Sequence, residues 1–133
     1  MTSKITNNTP HDKMREFHRR ELLQLTVDTH RAGLTDIQRE WPAHGLWDVQ
    51  AQRWHWFDIA GLRMEKFYLF DFEPGYWNNQ PNKPELEKME QKKAWALANN
   101  IPLMIVPHGH TTLELTILIK KFFFYYLRWL IIQ

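Results

Sequence analysis

The chain has 133 residues, 44% of them hydrophobic, with seven Trp and eight Phe, which suits one sizeable core better than two. It has no cysteine, which excludes disulfides, thiolate zinc sites and a catalytic thiol and fits an intracellular protein. Its net charge is only +2, so any nucleic-acid surface must come from local basic clusters. We predict a disordered leader over 1–10, without the apolar core of a secretory signal, and a single cytoplasmic domain over 11–133.

The first half of the chain is predicted to form a helix followed by strands. Apolar residues recur along one stripe from His11 to Gly33, and Ala-Gly-Leu marks the end of this helix. A short strand from Thr35 to Trp41 follows. The segment from Pro42 to Gln52 is predicted as an irregular connection, because it contains a proline, a glycine and scattered polar residues.

Two strands are then predicted to form a hairpin-like pair. They run from Arg53 to Ala60 and from Lys66 to Glu73, and a short link that contains Gly61 joins them. The sequence Glu73-Pro-Gly75 ends the second strand.

The second half of the chain alternates helix, strand and helix. A helix is predicted from beside Pro84 to about Asn99. The run from Ile101 to Pro107 is continuously apolar, which is typical of a central strand buried on both faces. A long apolar helix occupies Thr111 to Ile132. The order α, β, β, β, α, β, α predicts an α/β (α+β) fold, with a mixed central sheet flanked by helices.

Three carboxylates are candidates for a metal site. Strand periodicity places Asp71 and Glu73 on one face, opposite Tyr68 and Phe70. Asp58 lies thirteen positions upstream of Asp71, and a hairpin would bring it opposite the pair. Carboxylate oxygens are the ligands that Mg²⁺ prefers, and Mn²⁺ is a possible substitute. The alternative is that these acids cap backbone amides or end a strand on its solvent-facing side.

Several segments follow one another in an order that is similar to that of a known family. They are a helix ending in AGL, then REW, RWHWFDIA, LFDFEPGYW and EKMEQKKAWALANNIPLMIVP. This order, over about residues 14 to 107, resembles the PD-(D/E)XK nuclease superfamily, in particular very-short-patch repair, phage and homing endonucleases. The resemblance implies a restriction-endonuclease-like core, Mg²⁺-dependent hydrolysis of DNA phosphodiester bonds, and a bacterial or phage setting.

The resemblance also implies roles for individual residues. Asp58 takes the place of the first acid of the motif and Asp71 that of the second, while Glu73 stands where the family pattern has lysine. Members of the family also place that lysine on the following helix. We select Lys93, because it shares a helical stripe with Leu86, Glu90 and Leu97, whereas Lys92 points more sideways. Glu21, on the inward stripe of the first helix, is a further catalytic candidate, with a partly exposed glutamate as the alternative.

Candidate DNA contacts are basic and aromatic residues near these acids. Those predicted to bind nucleic acid are Arg15, Arg19, Arg20, Lys92, Tyr76 and Trp77. The alternative for the basic residues is two solvated helix faces. Trp54 and Trp56 are assigned to the core. His108 and His110 are assigned to a loop that touches phosphate or solvent rather than to a metal site.

The last helix is apolar around most of its surface, which predicts that it packs on the sheet and on a second subunit, giving a homodimer or higher homo-oligomer. Glu114, Lys120, Lys121 and Arg128 interrupt it, so it is not predicted to cross a membrane. Two other functions stay open beside the endonuclease. One is a nuclease-like fold that no longer cuts and acts as a DNA-binding or protein-interaction module. The other is a membrane-surface or toxin-like protein.

Overall fold

The computed structural model describes the backbone of residues 10–75 and 80–132 and the side chains of 13–75 and 80–127. The elements are α1 (Pro10–Arg31), β1 (Thr35–Asp48), β2 (Arg53–Arg63), β3 (Lys66–Phe72), α2 (Lys83–Ala98), β4 (Leu103–Val106) and α3 (Thr112–Ile132). This is the predicted order of elements. The predicted leader lies outside the described residues, except for Pro10, with which α1 begins.

The four strands form one mixed sheet in the order β1-β2-β3-β4. The β1–β2 and β2–β3 pairs are antiparallel, and β4 returns through α2 to pair parallel with β3. The fold is therefore a mixed α/β arrangement, a four-stranded sheet flanked by three helices. The prediction of a central strand after α2 is wrong, because β4 lies at the edge. Its apolar run reflects helices packed over both faces, which does not determine lateral position in the sheet.

Two cores lie on opposite faces of the sheet. On one face, α1 and α3 cover β2 and β3 through residues that include Leu25, Phe70 and Phe123. On the other face, α2 packs against Phe57 and Leu69. Consecutive β3 residues thus alternate between the cores, as the strand period predicts. Among the helices of the described residues, none is long and apolar enough to cross a membrane.

β1 is longer than predicted and includes residues 42–48 of the segment assigned to an irregular connection, whose last four residues form the turn to β2. It pairs with β2 from Thr35 to Asp48, and its register shifts between Pro42 and Trp47. Such irregularities insert extra residues into a strand without ending the ladder. Gly45, with a φ of 98°, lies inside this interval. Proline and glycine therefore mark a distorted strand here, not a loop.

Gly61 lies within β2, not in the β2–β3 link. The turn is formed by Met64 and Glu65, both with positive φ, as a two-residue hairpin turn of type I′ requires. Neither residue is typical of such a turn, so the sequence pattern missed it. Gly61 serves close packing: a Cβ there would lie 2.7 Å from the Leu34 side chain and 2.9 Å from the carbonyl oxygen of Thr35.

Substitution of Gly61 by Ala is therefore expected to destabilise the fold by about 1–3 kcal/mol through overpacking. The measurement is urea unfolding, in which the midpoint should fall while the m-value is unchanged. A Leu34→Ala background removes part of the clash, so the double variant should lose less than the sum of the single losses. An unchanged midpoint for Gly61→Ala would show that the strand tolerates a side chain there.

Candidate active site

The candidate site lies where β2 and β3 stop pairing. Their ladder reaches Ile59 and Phe70, and Asp58 and Asp71 follow it. Here side chains replace backbone partners: Asp71 Oδ1 accepts the amide N–H of Asp58 at 3.0 Å, and Asp58 Oδ2 accepts that of Phe72 at 3.0 Å. Asp58 and Asp71 lie side by side, as the hairpin predicts. Each carboxylate thus accepts a backbone N–H of the other strand, which holds the two acids between the middle of β2 and the end of β3.

Two basic side chains reach the remaining carboxylate oxygens. Lys92 Nζ of α2 lies 2.9 Å from Asp71 Oδ2, and His18 Nε2 of α1 lies 3.0 Å from Asp58 Oδ1. We call these four residues the Asp58–Asp71 cluster. The side chains of Asp58 and Asp71 are only 10% and 4% exposed, so their charges are largely removed from water. Buried carboxylates of this kind need such partners.

The two acids differ in how readily they ionise. Burial, together with the negative charge of Asp58, raises the pKa of Asp71 well above its ordinary value. Burial also acts on Asp58, but hydrogen bonds with His18, with Asp71 and from the Phe72 amide, together with the charge of Lys92, outweigh it and lower the pKa of Asp58. Asp58 is therefore the more readily charged partner. A cation bound beside both acids would favour the ionised form of Asp71 as well.

His18 is a member of the cluster that the sequence interpretation missed. His18 lies one helical turn before Leu22 and two before Leu25, so it falls on the buried stripe of α1. This spacing is the sequence signal that could have identified it. The interpretation instead selected Glu21, which lines a separate cavity with His108 and other residues of the β4–α3 loop. The rotation of α1 against the sheet thus brings an imidazole to Asp58.

The hydrogen bond with Asp58 raises the pKa of His18 above 6.5. A raised folded pKa contributes stability that is complete below the unfolded pKa and is lost as the pH rises through the folded pKa. We expect His18→Gln to cost roughly 1.5 kcal/mol at about pH 6, the lower end for hydrogen bonds to charged groups, since His18 is 30% exposed. Urea unfolding should show a smaller cost at about pH 9 than at about pH 6. A cost that does not vary with pH would contradict the charged pairing.

The choice of Lys93 over Lys92 is wrong as a statement of geometry. Lys93 Nζ pairs with Glu90 at 3.1 Å, and its side chain is 51% exposed, whereas Lys92 reaches Asp71. The stripe that guided the choice contains Leu86 and Leu97, which are 48% and 82% exposed. The sheet covers the opposite side of α2, and only tertiary packing decides this rotation.

Glu73 does not join the other two acids. Its Oε1 accepts the amide N–H of His108 at 2.9 Å and also contacts Nδ1 of the same residue. The parallel pairing of β4 with β3 brings this loop to Glu73, whose own N–H donates to the Val106 carbonyl. The predicted convergence of three carboxylates is therefore not observed. In the described part of the chain, no group of three or more His, Asp or Glu side chains is arranged to hold a metal ion.

The predicted DNA contacts are only partly described. Arg15, Arg19 and Arg20 are exposed on α1, the helix that carries His18. Tyr76 and Trp77 lie outside the described residues. Lys92 forms an ion pair with Asp71, so a phosphate that contacts Lys92 would meet a side chain that is already paired.

Comparison with protein-family models, with curated proteins and with solved structures finds no match to this chain. The resemblance to the PD-(D/E)XK superfamily thus stays a prediction carried by the segments quoted above. The Asp58–Asp71 cluster is therefore the main structural feature that points to a function.

Proposed function

We propose that the chain is a Mg²⁺-dependent DNA endonuclease with a restriction-endonuclease-like core. The observation that carries the proposal is the buried pair of Asp58, in the middle of β2, and Asp71, near the end of the adjacent β3, with Lys92 in contact. Perturbed ionisable groups brought together in this way are typical of active sites. The order of the quoted segments supports the same chemistry.

The donor set fits a hard divalent cation. Asp58 and Asp71 offer four carboxylate oxygens, and an oxygen that accepts one hydrogen bond still has a further lone pair. A pair of buried acids also gains from a positive charge, since Asp58 disfavours the ionised form of Asp71. When bound, Mg²⁺ would neutralise the scissile phosphate and lower the pKa of a water molecule. Glu73 would have to leave His108 to take part.

The protein's own groups have separable roles in this proposal. Asp58 and Asp71 would hold the cation, and His18 would orient Asp58 through its hydrogen bond. Lys92 would keep a positive charge beside Asp71 and present an N–H donor to phosphate oxygens, where negative charge develops during hydrolysis. The exposed arginines of α1 would contact the DNA backbone.

A second candidate function is a non-cutting DNA-binding or protein-interaction module. It is favoured by one observation: every carboxylate oxygen of the cluster already accepts a hydrogen bond within the protein. A closed network of this kind also serves as a purely structural ion-pair network. Lys92 would then be a permanent counter-ion of Asp71.

Metal binding and cleavage separate the two functions. With Mg²⁺ or Mn²⁺ at one hundred times its dissociation constant, the endonuclease is expected to gain about 2.7 kcal/mol of stability. This gain should raise the midpoint of thermal unfolding, and plasmid DNA or DNA with a single-stranded segment should be cut under the same conditions. A chain that shows neither effect with either metal is not a metal-dependent nuclease, and the non-cutting function then stands.

A further inference from the structure

The outer half of the β1–β2 hairpin carries a row of accessible aromatic rings. Trp47 pairs across the strands with Trp54, and their ring centroids are 5.3 Å apart with the planes nearly perpendicular. These side chains are 48% and 38% exposed. His44 adds a third ring 5.8 Å from Trp54. The assignment of Trp54 to the core is therefore wrong, because its side chain is 38% exposed.

The row leads along β2 towards the Asp58–Asp71 cluster. His55 and Phe57 turn to the α2 side, where Phe57 packs on Trp95. Trp54 and Trp56 consequently face the opposite side, the side from which His18 reaches Asp58. With the rise per residue of a β-strand, Trp54 and Trp56 lie about 14 and about 7 Å, respectively, along the strand from Asp58.

A cation accompanies the rings. The guanidinium carbon of Arg53 lies 3.9 Å from the ring centroid of Trp56, a cation–π contact that keeps the charge in the row. Proteins that bind single-stranded nucleic acid combine aromatic faces for stacking bases with positive charge for the phosphates. An intact duplex offers no free base faces, so the row suits unpaired nucleotides.

The hairpin that presents the row is anchored on its other face. Asp48 Oδ1 accepts the N–H groups of Gln50 and Ala51 at 3.1 and 3.2 Å, which shapes the turn between β1 and β2. Its Oδ2 lies 3.2 Å from Lys88 Nζ of α2, and its side chain is only 8% exposed. The rings are thus carried on a preorganised support, which reduces the entropy lost on binding.

We propose that Trp47, Trp54 and Trp56, with Arg53, form a binding surface for unpaired nucleotides of single-stranded DNA. The surface would lead such a strand to the Asp58–Asp71 cluster. This inference rests on the proposed function only for the cleavage of the bound strand. It specifies the substrate class as DNA with a single-stranded segment. Binding itself does not depend on cleavage, so the two can be tested apart.

The test measures the affinity of the whole chain for labelled oligo(dT) and for a duplex of equal length, by fluorescence anisotropy in EDTA. Oligo(dT) is expected to bind more tightly than the duplex. Trp54→Thr, which keeps a strand-favouring residue without a ring, should weaken oligo(dT) binding roughly 5- to 150-fold, and Trp54→Phe should retain most of the affinity. Trp41→Phe is the matched control, because Trp41 packs towards α2, and it should bind as the wild type does.

Equal affinity for duplex and oligo(dT), or unchanged affinity in a folded Trp54→Thr variant, would overturn the inference. If that variant does not fold, two other measurements replace it: the affinity of Arg53→Gln for oligo(dT), and quenching of the wild-type tryptophan fluorescence by oligo(dT). An unchanged affinity together with an absence of quenching would also overturn the inference. A wild type that binds oligo(dT) as expected but does not cut with Mg²⁺ defeats only the nuclease function. A chain that cuts while Trp54→Thr binds normally defeats only this inference.

Discussion

Asp71→Asn is expected to lower the rate of DNA cleavage at least about 100-fold, since even the outer partners of metal ligands contribute 10- to 100-fold. Asparagine keeps the shape of the side chain and can still accept the N–H of Asp58, but it removes the charge that would hold the cation. The measurement is cleavage of plasmid DNA and of a duplex with a single-stranded segment, under single-turnover conditions with Mg²⁺ and with Mn²⁺. Full activity in this variant would exclude Asp71 as a metal ligand.

Stability measurements provide the control for Asp71→Asn. The raised pKa of Asp71 means that its contribution to stability is present at acidic pH and lost as the pH rises through the folded pKa. The wild type should therefore lose stability relative to the variant as the pH rises. Urea unfolding across the acidic to neutral range tests this slope independently of cleavage. A slope that is the same in both proteins would show that burial does not hinder ionisation of Asp71.

Lys92→Met is expected to slow cleavage by on the order of 10²- to 10³-fold, as removal of one donor that faces developing negative charge does in other enzymes. Methionine fills similar space beside Phe57, which Lys92 contacts at 5.7 Å, so the packing of α2 is preserved. Lys92 also lowers the pKa of Asp71. Its loss should therefore move the acidic limb of the pH profile of kcat/KM to higher pH.

Lys93→Met is the matched control, because Lys93 is adjacent in sequence, lies on the exposed side of α2 and pairs only with Glu90 among the groups that the structure describes. Its activity should stay close to that of the wild type, since exposed ion pairs contribute little. Equal losses in the two variants would mean that general positive charge on α2, not the contact with Asp71, supports the reaction. A loss of activity confined to Lys93→Met would instead identify Lys93 as the lysine that assists cleavage.

Local periodicity predicted a large part of this protein. The order of the seven elements, the alternation of β3 between two cores and the placement of Asp58 beside Asp71 all follow from residue spacing. Such features are readable because strand and helix periods are properties of a short stretch of chain. Distorted strands are harder, since Pro42 and Gly45 carry the same signals in a bulged strand as in a loop.

The membership of the candidate site was decided by tertiary structure alone. Whether Lys92 or Lys93 meets Asp71 depends on the rotation of α2 about its axis, and His18 reaches Asp58 through the rotation of α1. Glu73 turns to His108 because β4 pairs beside β3, a lateral order that no residue pattern encodes. The sequence by itself thus determined which strands carry the two acids. The packing of helices on the sheet determined which cations surround them, because helix rotation and strand order arise from contacts between distant segments.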